Sequence, residues 1–313
     1  MDFRALCIAI LGMIMNSSVF ASSISVDPEH TTCNVGDVKY PSIGFGTYRF
    51  QEKVCTDAVK HAIQSGYQII DTATFYENFE AIGEALKTED RSAFYLISKV
   101  WPEDLSRENV RNDLNQTLQK LKTSYLDAYL IHWPNHRIPI KETLEAMEEL
   151  RQEKKIRHIG LSNVTVNHLK KALAVGVPIT WVQIEMHPHF MDEELLKFCK
   201  EQAIIVQAWR PLNLGRIVKD SLLEEIGKKY KKTACQVALR WIVQHGCVPL
   251  PASRNQRHIQ ENMDVLDFSL TKEEMQTIDE RAKKGSRFRL TLDFGLGFAD
   301  EFDFSDQECW PNP

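Results

Sequence analysis

The chain has 313 residues, of which 43% are hydrophobic, and its formal net charge is −5. This length and composition suit one large α/β domain. With 43 acidic residues against 38 basic ones, the chain does not fit a general nucleic-acid-binding protein, which is usually basic. It has no fixed-period repeat, which disfavours a solenoid.

The first residues do not fit the pattern of a folded domain. The apolar run Ala5–Met15 is too short to span a bilayer, and a small residue, Ala21, offers a cleavage point. We therefore predict a signal peptide over residues 1–21 and a periplasmic or secreted protein with no membrane span after its removal. The alternative is a cytoplasmic protein that starts at Met13 or Met15.

The number and positions of the cysteines do not decide between an oxidising and a reducing compartment. The sequence contains seven, and removal of Cys7 with a signal peptide would leave six. Cys55, Cys199 and Cys235 lie in helical stretches, where a buried free thiol is the expected state. Cysteine and histidine residues do not show metal-ligand spacing, so we expect no metal.

From Ser42 onward, short apolar strands alternate with amphipathic helices eight times. A hairpin is predicted before them over Thr31–Tyr40, and an extra helix after them over Lys272–Lys284. Because parallel strands need helical crossovers, this order predicts a (β/α)8 TIM barrel of the α/β class, with an N-terminal β-hairpin and a C-terminal loop. We place the barrel domain over residues 22–292.

Ionisable residues stand at or just after the ends of three successive predicted strands. Asp71 ends one, and Tyr76 follows it in the loop. Lys99 and His132 end the next two. A single carboxylate at a strand end is often only a loop cap, but four ionisable groups are hard to explain by packing. Chemistry in a barrel lies at this end of the strands, so we predict that these four are catalytic.

The motifs around these residues are Asp-Thr-Ala-x-x-Tyr-x-Asn, Ser-Lys-x-Trp and Ile-His-Trp-Pro. In this order and spacing they resemble those of the aldo-keto reductases, and the resemblance runs from about Val38 to about Phe268. It implies a nicotinamide-dependent carbonyl reductase on a barrel whose bottom is closed by the hairpin. Tyr76 would then give a proton to the carbonyl oxygen.

The resemblance also assigns supporting roles. Lys99 would lower the pKa of Tyr76 and be oriented by Asp71, while His132 would orient the carbonyl oxygen. Tyr48, Trp101 and Trp133 would form the walls of the substrate pocket. The acidic, aromatic tail over residues 293–313 would add a substrate loop.

A second set of residues would hold the cofactor. Ser162, Asn163 and Gln183 would contact the nicotinamide carboxamide, and Trp209 would stack beneath the ring where the family commonly has Tyr. Arg210 stands where many members have Ser, and its guanidinium suits a pyrophosphate. The complete predicted set is Thr47, Ser162, Asn163, Gln183, Trp209, Arg210, Leu212, Ser253, Arg254, His258, Glu261 and Asn262.

The choice between NADP(H) and NAD(H) depends on the 2′-phosphate. Members that use NADPH often have Lys at position 252 and Arg at position 258, where this chain has Ala252 and His258. Arg254 and Arg257 are close by and offer substitute cations, with the Ser253 hydroxyl beside them. We therefore predict NADP(H), with NAD(H) as the alternative.

Two other functions stay open at this point. One is a non-catalytic nicotinamide-binding barrel that acts as a sensor or interaction subunit. The other is an aldolase-like barrel in which Lys99 forms a Schiff base. We favour a monomeric enzyme that reduces aldehydes or ketones to alcohols.

Overall fold

The computed structural model describes residues 24–26, 32–35, 38–135 and 137–285. The predicted signal peptide over 1–21 and the predicted substrate loop over 293–313 lie outside the described residues, so both stay predictions. In the part of the chain that is described, no helix is long and apolar enough to cross a membrane.

The chain first forms a small antiparallel sheet of three strands, β1 (Ile24–Val26), β2 (Thr32–Val35) and β3 (Val38–Pro41). Strands β2 and β3 are the predicted hairpin, and β1 adds a strand that the sequence analysis did not predict. Tyr40 on β3 is buried, and its ring packs edge-on against Trp181 at a centroid distance of 4.7 Å. The hairpin is therefore joined to the barrel interior.

Eight parallel strands form the predicted barrel, and each pairs with its neighbours in chain order. Gly46 N donates to Pro251 O at 3.0 Å, which brings the first strand of the barrel against the segment after the last. The strands are β4 (Gly44–Gly46), β5 (Ile69–Asp71), β6 (Tyr95–Val100), β7 (Leu126–Ile131), β8 (Ile156–Ser162), β9 (Trp181–Glu185), β10 (Ile205–Trp209) and β11 (Val248–Pro249).

Helices between the strands cover the outside of the barrel, in the alternating order that the sequence predicts. Ser106 caps the helix that follows it, since its hydroxyl accepts from Asn109 N at 3.4 Å. The helices are α1 (Glu52–Gln64), α2 (Phe79–Leu86), α3 (Arg107–Leu121), α4 (Ile140–Gln152), α5 (Val166–Ala174), α6 (Glu193–Glu201), α7 (Ser221–Tyr230), α8 (Ala234–Gln244), α9 (Gln256–Met263) and α10 (Lys272–Ala282).

The hydrophobic core has two parts. Side chains from the strands and helices fill the space between barrel and outer ring. A smaller cluster fills the lower interior of the barrel, comprising Tyr40, Ile69, Ile97, Ala128, Leu130, Trp181, Ile205, Val248 and Leu250. Because the bottom is packed in this way, the open space lies at the carboxyl ends of the strands, where the predicted catalytic residues stand.

Candidate active site

A cavity of about 940 Å³ opens at the carboxyl ends of the barrel strands. Its lining includes every predicted site residue except Lys99, which lies fully buried beneath it, and Arg254. One continuous space therefore joins the predicted catalytic residues to the predicted adenosine-binding segment. Its size is typical of a site for a small molecule or cofactor.

The four predicted catalytic residues are brought together. Lys99 Nζ donates to Asp71 Oδ1 at 2.7 Å and to the Thr72 carbonyl oxygen at 2.8 Å. The Tyr76 hydroxyl lies 3.4 Å from the same ammonium. The His132 ring meets the Tyr76 ring edge-on at a centroid distance of 5.7 Å. The tyrosine hydroxyl thus lies between a buried cation and the cavity.

Contrary to the prediction, Lys99 does not bring the pKa of Tyr76 below its ordinary value. Burial and the neighbouring Asp71 carboxylate together raise the pKa of Tyr76 well above its ordinary value. The Lys99 charge does not reverse this, because Asp71 compensates it at 2.7 Å. Tyr76 therefore keeps its proton at neutral pH, which is the state that a proton donor requires.

His132 is neutral in the same environment. Burial, together with the positive charge of Lys99, lowers the pKa of His132 well below its ordinary value. A neutral imidazole can orient a carbonyl oxygen through a hydrogen bond, but it does not carry an acidic proton at neutral pH. This charge state separates His132 from Tyr76 in function.

Hydrogen bonds from side chains hold the turn that carries Tyr76. Gln51 donates its side-chain amide to the Tyr76 carbonyl oxygen at 2.7 Å. Asn78, which follows the turn, donates to the Thr47 carbonyl oxygen at 2.9 Å and accepts from the Thr72 hydroxyl at 2.7 Å. The loops after β4 and β5 are therefore fixed to each other, which positions Tyr76 against Lys99.

Aromatic rings form the walls next to Tyr76. The predicted wall residues Tyr48, Trp101 and Trp133 all line the cavity, and the Tyr48 and Tyr76 ring centroids are 5.0 Å apart. Phe75 was not predicted as a wall residue, and its ring stacks on Trp101 at a centroid distance of 4.3 Å. Its position directly before Tyr76 in the sequence could have indicated that it lies near the catalytic residues. The walls offer flat apolar surfaces to a substrate.

The predicted carboxamide-binding residues form one network. Asn163 donates its side-chain amide to the His132 carbonyl oxygen at 3.0 Å and to the Ser162 hydroxyl at 3.1 Å. Ser162 in turn donates to the Gln183 carbonyl oxygen at 3.0 Å. The Trp209 indole N–H donates to Asn163 Oδ1 at 2.9 Å. The aromatic ring and the polar residues beside it are thus mutually oriented.

Two arginines stand at the middle of the cavity. The Arg210 guanidinium lies 5.1 Å from the centre of the Trp209 ring, and Leu212 follows it along the wall. Arg49, which the sequence analysis did not select, lines the same region from the loop after β4. These guanidinium groups give the middle of the cavity positive charge, which fits a pyrophosphate.

At the predicted adenosine end, the cations do not all face the cavity. Arg254 donates to the Arg49 carbonyl oxygen at 2.9 Å and is not among the residues that line it. Arg257 is 82% exposed and pairs with Glu261 at 2.6 Å. The Asn255 side chain caps the first turn of α9, so the amides of Arg257 and His258 are already engaged. Ser253, His258, Glu261 and Asn262 line the cavity as predicted.

Residues from α7 and the loop after it also line this end, and the sequence analysis missed them. Lys232 lies between Asp264 and Asp267, with both ion pairs at 2.8 Å. Lys228 is exposed, lines the cavity and forms no ion pair with any described residue. No motif marks either lysine, because they are brought here only by the packing of α7.

The cysteines predicted to be free thiols are free in the structure. Cys55 and Cys199 are buried, and Cys235 is partly buried and lines the cavity. Among the described residues, there is no group of three or more histidine, cysteine, aspartate or glutamate side chains that could hold a metal ion.

Comparison with known proteins gives one consistent result. Residues 42–283 match the model of the aldo/keto reductase family. The chain is 39% identical over 246 residues to a glyoxal reductase of Bacillus subtilis, covering 77% of this chain and 89% of that protein. It is also 39% identical over 252 residues to a 9,11-endoperoxide prostaglandin H2 reductase of Trypanosoma cruzi, covering 78% and 88%.

Solved structures agree with this. An aldose reductase from Schistosoma japonicum superposes with a TM-score of 0.78 at 30% sequence identity, covering 84% of this chain and 95% of that one. A structure described as a 2,5-diketo-D-gluconic acid reductase B superposes with a TM-score of 0.79 at 29% identity, covering 94% and 98%.

Proposed function

We propose that this chain, which belongs to the aldo/keto reductase family and is an NAD(P)H-dependent carbonyl oxidoreductase, reduces aldehydes or ketones with NADPH and uses Tyr76 as the proton donor. The observation that carries this proposal is the Tyr76 hydroxyl, which lies 3.4 Å from the Lys99 ammonium in a cavity also lined by His132.

Charge states support Tyr76 as the acid. Its raised pKa keeps the hydroxyl protonated, whereas the lowered pKa of His132 leaves the imidazole neutral. When Tyr76 gives up its proton, the developing tyrosinate faces the Lys99 ammonium, which stabilises it. Burial lowers the pKa of Lys99, and the Asp71 carboxylate opposes that shift and so favours the charged ammonium.

The cavity fits a nicotinamide nucleotide. A flat aromatic ring, Trp209, lies beside amide groups at one end, and Arg210 supplies positive charge next to it. Ser162, Asn163 and Gln183 would hold the carboxamide, and the adenosine would lie near Glu261 and Asn262. When bound, the cofactor supplies a hydride to the carbonyl carbon.

The preference for NADPH depends on free positive charge at the adenosine end. In the structure, Arg254 is turned toward the Arg49 carbonyl oxygen and Arg257 is paired, so neither provides the support that the sequence suggested. Lys228 on α7 and His258 on α9 both line the cavity, and Ser253 lines it as well. These three groups support a 2′-phosphate site with modest discrimination against NADH.

The relatives suggest which carbonyl compounds to test. They include a glyoxal reductase of Bacillus subtilis and a methylglyoxal reductase of Escherichia coli. The decisive test is therefore steady-state reduction of glyoxal, methylglyoxal and an aromatic aldehyde, with NADPH and NADH compared for each. Turnover with NADPH at a higher kcat/KM than with NADH is expected. Nucleotide binding without turnover of any carbonyl would instead support the non-catalytic alternative.

Location and assembly are further proposals. The apolar run Ala5–Met15 supports export, and we propose a monomer. Cell fractionation with N-terminal sequencing tests export, and a mature N-terminus at Met1 in the cytosol would contradict it. Light scattering of the purified protein tests the monomer.

A further inference from the structure

A buried glutamine lies behind the carboxamide-binding residues and has no role in the chemistry described so far. Gln207 on β10 is 0% exposed. Its Oε1 accepts from Gln183 Nε2 at 3.0 Å, and the same Gln183 nitrogen donates to Asp71 Oδ2 at 2.8 Å. Three side chains from three strands therefore form one hydrogen-bonded chain that reaches the catalytic ion pair.

The direction of this chain is fixed by the carboxylate. Asp71 is an acceptor, so the Gln183 atom that faces it is the amide nitrogen. That nitrogen also faces Gln207, so Gln207 must present its oxygen. If the Gln183 amide were reversed, its oxygen would face the Asp71 carboxylate. If the Gln207 amide were reversed, its nitrogen would face the Gln183 nitrogen. Gln183 Oε1 is then left without a hydrogen bond from any described residue, on a side chain that lines the cavity.

The other polar groups at this position also have their donors engaged. Both hydrogen bonds donated by the Asn163 amide go to protein oxygens, and the Ser162 hydroxyl donates to the Gln183 carbonyl oxygen. This part of the cavity therefore presents acceptors. A ligand group that donates N–H hydrogen bonds fits it better than an isosteric group without N–H.

Gln207 is a poor choice for packing alone. Its Nε2 is buried and has no hydrogen-bond partner among the described residues. An apolar residue such as Leu or Met would fill similar space without leaving a buried donor unsatisfied. The oxygen that Gln207 presents to Gln183 is the feature that an apolar residue lacks.

We propose that Gln207 is a positioning residue that holds the Gln183 amide with its oxygen toward the cavity, so that the site selects a nucleotide bearing a carboxamide N–H. The inference rests on the proposed function. Without the Gln207 oxygen, Gln183 Nε2 keeps only Asp71 as a partner, and the amide is free to turn about that bond.

The test compares two nucleotides in binding, without turnover. Kd is measured by quenching of tryptophan fluorescence for NADP⁺ and for its 3-acetylpyridine analogue, in which a methyl group replaces the carboxamide nitrogen. The variants are Gln207→Leu and Gln207→Met, which remove the oxygen, and Gln207→Glu, whose protonated form keeps an oxygen toward Gln183. Gln119→Leu, on the exposed face of α3, is the matched control.

The parent protein should prefer NADP⁺ over the analogue. Gln207→Leu and Gln207→Met should reduce that preference about 3- to 10-fold, which corresponds to the loss of one hydrogen bond. The reduction should come from a higher Kd for NADP⁺, while the Kd of the analogue stays the same. Gln207→Glu and Gln119→Leu should keep the preference. If Gln207→Leu and Gln207→Met weaken the binding of both nucleotides equally, or leave the ratio of the two Kd values unchanged, the inference is overturned.

The variants also separate this inference from the function on which it rests. If the parent protein binds neither nucleotide, the proposed function fails, and the inference fails with it. If the parent binds NADP⁺ and the ratio does not respond to loss of the Gln207 oxygen, only the inference fails. Should Gln207→Leu not fold, Gln207→Met keeps the unbranched shape and decides the question.

Discussion

The two ends of the cavity are built differently. At the catalytic end, Asp71 and Lys99 are buried on adjacent strands and form an ion pair at 2.7 Å. At the end where adenosine is predicted to bind, Arg257 is 82% exposed and pairs with Glu261 on its own helix. Strand ends thus fix the first set of charges, whereas the second set lies on side chains that extend into solvent. Substitutions should therefore have large effects at the first end and small effects at the second.

The largest effect should come from Tyr76→Phe. Removing the hydroxyl removes the proton donor, and general acid catalysis typically contributes about 10²- to 10⁴-fold to the rate. We expect kcat to fall by that factor while the Kd of NADPH stays unchanged. Tyr125→Phe, at the opposite end of the barrel, is the matched control. A kcat close to that of the parent would remove Tyr76 from its proposed role.

Lys99→Met should damage both stability and rate. It leaves the Asp71 carboxylate buried without its cation, which typically destabilises a protein by about 3–5 kcal/mol. The double variant Lys99→Met with Asp71→Asn removes both charges, so it should recover most of the lost free energy of unfolding but not the activity. Urea denaturation and kcat measure the two effects. Recovery of both together would mean that the pair is only structural.

The pH dependence of kcat sharpens the same comparison. The pKa of Tyr76 is raised, so its acidic form persists through the neutral range and is lost only above about pH 10. The pKa of His132 is lowered, so the imidazole does not gain a proton near its ordinary value of about 6.5. We therefore expect kcat to be independent of pH between about 6.5 and about 10. An inflection in kcat near pH 6.5 that disappears in His132→Gln would contradict the neutral state of His132.

The smallest effects should come from the predicted adenosine end. Lys228→Gln removes an exposed cation that forms no ion pair with any described residue, so the Kd of NADPH should rise about 2- to 5-fold and that of NADH should not change. Lys229→Gln is the matched control, since Lys229 pairs with Glu274 at 2.9 Å instead of lining the cavity. Arg254→Ala should leave both Kd values near those of the parent. A larger loss with Arg254→Ala than with Lys228→Gln would show that Arg254 turns inward when NADPH binds.

Much of this molecule follows from local sequence. The alternation of strands and helices predicts the barrel, and residues at or just after the ends of parallel strands must meet at one face. Asp71, Lys99 and His132 can therefore be placed together from their positions in the chain alone. The family motifs added the predicted role of Tyr76 as proton donor and the predicted carboxamide-binding residues, because the spacing of the motifs is specific when they are taken jointly.

Tertiary structure decided the features that depend on neighbours distant in the chain. The raised pKa of Tyr76 reflects burial, and the direction of the Gln183 amide reflects the Asp71 carboxylate, which comes from a distant strand. Lys228 reaches the cavity only because α7 packs beside it, while Arg254 is drawn to a carbonyl oxygen of another loop. The sequence by itself determined which groups are present at each strand end. Only packing determined their charge states and the direction of each amide, because both are set by surrounding atoms that come from separate segments.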